Sequence, residues 1–207
     1  MNILLEPLPT EYDGYEVNTD FRIGIQINLM MEDKELTGYE KNILLIDLLF
    51  GNEDGSVRDH PKDIKDVLNW LMTGWYTDKN TSSKKHERLI DYNIDQWRIY
   101  SDFIQIYHIN LNEIESMHFW EFQALLWNMP DEQSSFLKVI SIRRKKLKPK
   151  MSKTEKEAIT KAKAIYALEQ PNEKQFSDED KSKIDSFDKI QEERRKKQEI
   201  AQEFLKK

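Results

Sequence analysis

The sequence predicts a mainly α-helical protein: a helical bundle body with a short N-terminal β-hairpin and an extended C-terminal helix. Apolar residues recur every three or four positions through most of the chain, which is the spacing of a helix face. Two capping boxes, one beginning at Thr37 and one at Ser152, mark the starts of helices. We expect a body over residues 1–150 and a charged helical extension over residues 151–207.

Composition limits the class of protein. The 207 residues are 38% hydrophobic and 34% charged, with a mean hydropathy of −0.78, so a core must sit beside a strongly solvated segment. No apolar run approaches the ~20 residues of a membrane span, and the N-terminus lacks the pattern of a signal peptide. The absence of cysteine excludes disulfides and thiolate metal sites. We expect a soluble cytoplasmic protein with no membrane partner.

Charge is distributed unevenly along the chain. Residues 1–79 carry 16 acidic and 7 basic side chains, whereas residues 138–174 carry 12 basic and 4 acidic ones. The net charge of −6 hides this reversal. Such polarity is typical of electrostatic self-association or of an oppositely charged partner, and it does not decide between them.

The N-terminal region combines a hairpin with an ambiguous element. Asp13 and Gly14 form a strong two-residue turn signal, so we expect a hairpin within residues 1–17. Residues 18–33 contain apolar residues that alternate as in a strand and also recur four apart as in a helix. Because Thr19 is a good N-cap, we favour the helix.

Two helices and a loop are expected next. The first helix runs from Tyr39 to Phe50, and Gly51 ends it. The second carries Pro61 in its first turn, where a missing amide hydrogen has no consequence. Residues 77–88 have almost no apolar side chains and are typical of a surface loop.

Residues 91–148 are the most distinctive part of the sequence, because they combine most of the tryptophans with clear helical periods. We expect helices near residues 94–108 and over residues 116–129, and a third helix capped by Ser134 or Ser135. Apolar residues of the first of these helices share one face, which we assign to the core: Ile94, Trp97, Tyr100, Phe103, Ile104 and Tyr107.

The C-terminal part contains two further helical segments. The capping box at Ser152 opens a helix to about Leu168. Residues 177–207 favour a helix, but their apolar positions are too sparse for a stable coiled coil. We expect an exposed helix there that docks on a partner.

The sequence contains no recognisable catalytic chemistry. The four histidines, His60, His86, His108 and His118, do not have the spacing of metal ligands, and packing or a helix end explains His118 better than zinc or acid–base chemistry. Carboxylates are scattered, and glycine-rich phosphate loops and nucleophile motifs are absent. We therefore expect no enzymatic activity, no cofactor and no metal.

Two features are candidate contact surfaces. The basic run over residues 143–150 could neutralise phosphates, but no nucleic-acid recognition motif accompanies it and the whole chain is acidic. A solvated or partner-facing patch is therefore the better interpretation. Two tryptophans lie on a different helix face from Phe119 and Phe122, which leaves that face for a partner. The predicted partner-binding residues are Trp120, Trp127, Arg143, Arg144, Lys145 and Lys146.

Several short motifs occur in a fixed order in this part of the chain. They are D-x-W-x-x-Y-S-x-F-x-x-x-Y from Asp95, I-x-L from Ile109, H-F-W-x-F-x-x-L-L from His118, M-P at Met129 and I-S-I-R from Ile140. Together they resemble the small protein encoded just before the tape measure gene in long-tailed phages of Gram-positive hosts. DGYEVNTDFR from Asp13 is similar to the N-terminal region of that family, so the resemblance spans roughly residues 8–168.

Two positions depart from the pattern of that family. His108 stands where a glycine is expected after the tyrosine, and Phe119 with Trp120 stands where a double tryptophan is expected. Both are changes that packing can tolerate.

The resemblance implies a tail assembly chaperone. Such proteins bind the long, apolar tape measure protein while tail tube subunits polymerise around it, and they are absent from the finished virion. The implied partners are the tape measure protein and the major tail protein, in the cytoplasm of the infected bacterial host. The alternatives are a nucleic-acid-binding protein that uses residues 143–150 and a structural component of the virion tail.

Overall fold

Seven helices and one short hairpin form the part of the chain that the structure, a computed structural model, describes, residues 2–74 and 88–168. These residues belong to one compact unit, Met1–Leu168. The predicted terminal helix over residues 177–207 lies outside the described residues, as does the predicted loop over residues 77–88 apart from its last residue.

The elements confirm the mainly α-helical fold and the N-terminal hairpin. In chain order they are β1 (Glu11–Tyr12), β2 (Tyr15–Glu16), α1 (Phe21–Glu32), α2 (Gly38–Phe50), α3 (Lys65–Thr73), α4 (Tyr92–Tyr107), α5 (Phe119–Trp127), α6 (Ser135–Arg144) and α7 (Lys153–Ile165).

The hairpin has the turn that its sequence predicts. β1 and β2 pair antiparallel, with Tyr12 opposite Tyr15. The two turn residues, Asp13 and Gly14, have φ of 51° and 82°. Both angles are positive, as a two-residue turn that matches the twist of its strands requires.

The ambiguous segment is a helix, which confirms the favoured interpretation. Its N-cap is Asp20 rather than Thr19, because the Asp20 carboxylate accepts a hydrogen bond from the amide of Arg22 at 2.9 Å. The carbonyl of Thr19 instead accepts from the amide of Phe119, at 2.7 Å. Phe21, Gly24, Ile27 and Met30 are buried, so the face of α1 that packs inward follows a helical period.

Two predicted helix starts are wrong. α3 begins at Lys65 rather than near Pro61, because the Asp63 carboxylate accepts from the amide of Lys65 and turns the chain just before the helix. α5 begins at Phe119 rather than at Ser116, since the imidazole of His118 acts as its N-cap.

α5 lies at the centre of the core. Phe119, Phe122 and Leu126 have at most 1% of their surface exposed. A Cβ atom on Gly24 of α1 would lie 2.2 Å from Cδ2 of Phe119, so only glycine permits this approach of the two helices. The packing order is α2 on α1, α1 on α5, α4 on α6 and α6 on α7.

The face of α4 that packs inward differs from the predicted one. Ile94, Trp97 and Ile104, which were assigned to the core, are 38%, 73% and 37% exposed. The buried residues of α4 are Asp95, Ile99, Asp102 and Phe103. This set also has helical spacing, but it contains two carboxylates that a hydrophobic pattern does not count.

Asp102 anchors the beginning of α6. Its carboxylate accepts from the Ser134 hydroxyl at 2.7 Å and from the Phe136 amide at 2.9 Å. It also accepts from the Ser135 amide at 3.1 Å and from the Ser135 hydroxyl at 2.8 Å. A buried carboxylate is tolerated here because it satisfies amides that a helix N-terminus leaves without partners.

Asp95 anchors the end of the same helix. Its two oxygens accept from the guanidinium of Arg143 at 2.6 and 3.0 Å. Arg143 also donates to the carbonyls of Leu89 at 2.8 Å and Tyr166 at 2.7 Å, and Arg98 lies 3.2 Å from the same carboxylate. Since Asp102 meets the start of α6 and Asp95 meets its end, α4 and α6 run antiparallel.

Arg143→Ala should lower the free energy of unfolding by about 3–5 kcal/mol, because Asp95 would stay buried with its charge largely uncompensated. Chemical denaturation followed by far-ultraviolet circular dichroism measures this change. Arg144→Ala is the matched control, since Arg144 is exposed, and it should change the free energy by no more than about 0.5 kcal/mol. Equal effects of the two substitutions would contradict the anchoring role of Arg143.

Candidate functional site

An open groove of about 460 Å³ lies between α1 and α4, and it is the candidate binding site. We call it the α1–α4 groove. The lining residues are Phe21, Arg22, Ile25, Gln26 and Leu29 of α1, Tyr92, Asn93, Gln96, Trp97, Ile99 and Tyr100 of α4, and Leu111, Asn112 and Phe122. Residues of α1 spaced four apart form one wall, which therefore presents a continuous helix face.

Two rings of a three-ring aromatic stack, those of Phe21 and Phe122, line the groove. Phe122 of α5 lies between Phe21 of α1, at 5.1 Å between ring centroids, and Phe103 of α4, at 5.2 Å. The rings are nearly parallel, at 22° and 10°. Since Phe103 and Phe122 are fully buried, the spacing of α1 and α4 is set by packed side chains rather than by loops.

One wall of the groove exposes a large aromatic side chain. Trp97 is 73% exposed, and its ring meets that of Tyr100 edge to face with centroids 6.1 Å apart. The Tyr100 hydroxyl is 3.1 Å from the Asn110 side-chain oxygen, which holds the ring in place. An exposed tryptophan beside an apolar groove is typical of a contact residue for a partner.

Arg22 closes one end of the groove. Its guanidinium donates to the carbonyls of Leu111 at 3.0 Å and Ile114 at 2.9 Å and lies 3.3 Å from the Asp20 carboxylate. The positive charge of Arg22 is therefore paired with groups of the protein itself. The other polar lining groups are amides and tyrosine hydroxyls.

Tyr92 contributes a neutral phenol to the inner wall. A tyrosine of ordinary pKa, about 10, is already protonated at physiological pH, and burial raises the pKa of Tyr92 further, to about 12. The hydroxyl accepts from the Gln123 side chain at 2.9 Å, and the Gln123 oxygen accepts from the indole of Trp127 at 2.8 Å. Among the described lining residues none is a carboxylate, a lysine or a histidine. The groove is therefore suited to apolar side chains rather than to charged ligands.

The structure corrects the expected tryptophan face. Trp120 is only 5% exposed, and its indole donates to the carbonyl of Leu71 at 2.8 Å and packs edge to face on Trp70. Trp127 is half-buried against Phe136. Neither side chain lines the α1–α4 groove.

The basic run divides into a buried and an exposed part. Arg143 is 6% exposed, because it is the partner of Asp95, so it is not a surface contact. Arg144, Lys145 and Lys146 are exposed and do not line the groove. The predicted site residues are thus not brought together in one place.

His118 has a structural role that the sequence only partly indicated. Its Nδ1 accepts from the amide of Trp120 at 3.0 Å, and its Nε2 donates to the carbonyl of Pro9 at 2.9 Å. An amide can only donate and a carbonyl can only accept, so the ring is neutral with its proton on Nε2. Burial lowers the pKa of His118, against the opposing effects of the Pro9 carbonyl and Glu121.

In residues 2–74 and 88–168, no group of three or more histidine, aspartate and glutamate side chains is placed to hold a metal ion. In the same ranges, no helix is long and apolar enough to cross a membrane.

The fold and the groove define a class of protein: a mainly α-helical domain whose candidate site is an apolar groove between two helices. A family model described as "Bacteriophage Gp15 protein" matches residues 4–168, and the chain belongs to this family of phage proteins. No curated protein matches the chain. No solved structure matches it either.

His118 should make stability depend on pH. Its folded-state pKa lies below its ordinary value of 6.5, so the unfolded chain takes up the proton first. The stability that the neutral ring contributes to the fold is fully present above pH 6.5, and it is lost as the pH falls from 6.5 through the folded-state pKa. Unfolding free energies measured at a series of pH values should therefore decline in this window.

His118→Asn provides the comparison, because asparagine also caps helices but does not titrate. The difference in unfolding free energy between wild type and variant should shrink as the pH falls below 6.5. A difference that is constant over this range would show that protonation of His118 is not linked to unfolding.

Proposed function

We propose that the protein is a non-enzymatic tail assembly chaperone that binds the tape measure protein while the tail tube forms. The α1–α4 groove carries this proposal, because it offers an apolar site between two helices whose charged lining residue, Arg22, is paired with Asp20. Membership of a bacteriophage protein family supports a role in phage biology. The resemblance of its motifs to proteins encoded before the tape measure gene supports the tape measure protein as the partner.

The dimensions of the groove suit an amphipathic helix. Phe21 and Leu29 stand at the ends of the α1 wall, eight residues apart, which is about 12 Å of helix. A partner helix over that length presents two or three apolar side chains at spacings of three and four residues. Tape measure proteins are long and apolar in the resembling family, so such segments occur repeatedly along the partner.

The exposed tryptophan gives the groove its strongest contact. Trp97 is 73% exposed in the free protein and has a large apolar surface to bury. Tryptophan is enriched among the residues that contribute most to binding at protein interfaces. We therefore assign Trp97 as the main anchor and the rings of Phe21 and Phe122, the second of which stacks on buried Phe103, as the rigid base.

On this proposal, the protein acts in the cytoplasm of the infected host. It also contacts the major tail protein as tube subunits arrive, and it leaves before the virion is complete.

Two alternative functions can be tested separately. Salt-dependent DNA binding would favour a nucleic-acid-binding protein that uses the exposed cations after α6. Stoichiometric copies in purified virions would favour a structural tail component.

Co-expression tests the function and the groove separately. The wild-type protein should raise the soluble fraction of the tape measure protein and co-purify with it. Trp97→Ala should weaken that complex by roughly 30-fold or more, the effect of losing about 2 kcal/mol at an interface anchor. Its stability should change by no more than about 0.5 kcal/mol, because Trp97 is exposed.

Ile165→Ala is the matched control, since Ile165 is 74% exposed on α7 and lies outside the groove. It should bind the tape measure protein as the wild type does. Failure of the wild type to co-purify would overturn the chaperone function. Co-purification that Trp97→Ala leaves unchanged would overturn the groove as its site while keeping the function.

A further inference from the structure

α2 exposes an apolar stripe that nothing in the described chain covers. Tyr39, Ile43 and Leu44 are 74%, 49% and 39% exposed. With Glu40 and Asp47 they form one continuous surface, because these positions are three or four residues apart. We call this surface the α2 stripe. The opposite side of α2 packs inward through residues such as Leu45 and Leu49.

The α2 stripe is negatively charged. Its charged groups are Glu40 and Asp47, both exposed. The one basic residue of α2 is Lys41, whose ammonium donates to the carbonyl of Met31 at 2.9 Å, beside the stripe rather than on it. A partner for this surface therefore needs apolar side chains among positive charges.

The segment that follows α6 has that chemistry. Residues 144–150 contain five cations, and all seven side chains are exposed. Leu147, in the middle of the segment, is 51% exposed. Glu155 of α7 interacts with Lys145. Two lysines of α7, Lys156 and Lys163, donate to the carbonyls of Pro149 and Lys145 at 3.3 and 3.2 Å, so they add positive charge beside the segment. We call residues 144–150 the exposed basic run.

A series of packed helices connects the two surfaces. α2 packs on α1, α1 on α5, and Phe122 of α5 stacks on Phe103 of α4. α4 then packs on α6, and the exposed basic run follows α6. Among the described residues no hydrogen bond or ion pair joins the α2 stripe to this run. Within one molecule the two surfaces therefore make no polar contact with each other.

We propose that the α2 stripe binds the exposed basic run of a second copy of this chain. Charge complementarity favours this occupant, because one surface is apolar and acidic and the other apolar and basic. The two surfaces differ, so the contact is head to tail and extends into open chains or closes into a ring. Such an assembly would leave the α1–α4 groove of every copy free, since neither surface includes a groove residue.

The association of the full-length protein should depend on salt. Sedimentation velocity should show oligomers at about 0.1 M salt, and association should weaken roughly tenfold or more at about 1 M, where the screening length falls from about 10 to 3 Å. A protein that is monomeric at both salt concentrations would overturn the proposal, as would oligomers indifferent to salt.

Surface variants identify the contact. Ile43→Lys with Asp47→Lys disables the α2 stripe, and Lys146→Glu with Lys148→Glu disables the exposed basic run. Each double variant alone should be monomeric. An equimolar mixture should form a 1:1 complex that does not grow, because each variant retains one functional surface. Absence of that complex would overturn the head-to-tail contact.

Two further double variants serve as controls for the effects of charge and of apolar surface. Glu53→Lys with Lys62→Glu changes exposed charges outside both surfaces and should associate as the wild type does. Tyr39→Ser with Leu44→Ser removes apolar surface without changing charge, and it should also reduce association at about 0.1 M salt. Circular dichroism confirms the folding of every variant. Wild-type association by this serine variant would overturn the role of the α2 stripe.

Discussion

The fold depends on two buried carboxylates of α4, Asp95 and Asp102, that hold the two ends of α6. Asp102 satisfies the amides and hydroxyls at the start of α6, and Asp95 binds Arg143 near its end. The two carboxylates are seven residues apart on α4, which places them on one helix face two turns apart. No buried polar side-chain atom is left without a hydrogen bond in the described residues. Because the buried charges of Asp95, Asp102 and Arg143 all have partners, the antiparallel arrangement of α4 and α6 is specified by geometry as well as by apolar packing.

The same constraint positions the candidate site. With one face of α4 bound to α6, its neighbouring face, including Tyr92, Gln96 and Trp97, is directed to the α1–α4 groove. The aromatic stack through Phe122 then sets the distance to α1. The groove is consequently preformed, and a partner helix need not reorganise it.

Local signals in the sequence predicted the elements well. The turn at Asp13 and the capping boxes at Thr37 and Ser152 are confirmed, because each is made by residues close together in the chain. The family pattern that expects a glycine in place of His108 also has a physical basis. His108 follows α4 with φ of 58°, a left-handed conformation that glycine adopts with less strain.

The orientation of α4 could not be predicted in the same way. Its inward face contains Asp95 and Asp102, whose partners on α6 and at its start lie 32 to 48 residues away in sequence. A hydrophobic period assigns such carboxylates to solvent, so the sequence analysis placed Trp97 in the core instead. Because Asp95 was expected in solvent, its partner Arg143 was expected on the surface as well. For the same reason the groove escaped prediction, since its walls come from α1 and α4 and its base from α5.

We propose that the α1–α4 groove receives an apolar helix of the tape measure protein. Site-specific photo-crosslinking tests this most directly, with a benzophenone amino acid in place of Gln96, an exposed residue of the groove beside Trp97, and, in a separate protein, in place of Ile165. After co-expression with the tape measure protein, position 96 should form crosslinks to apolar helical segments of that partner and position 165 should not. Crosslinks from position 165 but not from position 96 would contradict binding in the groove.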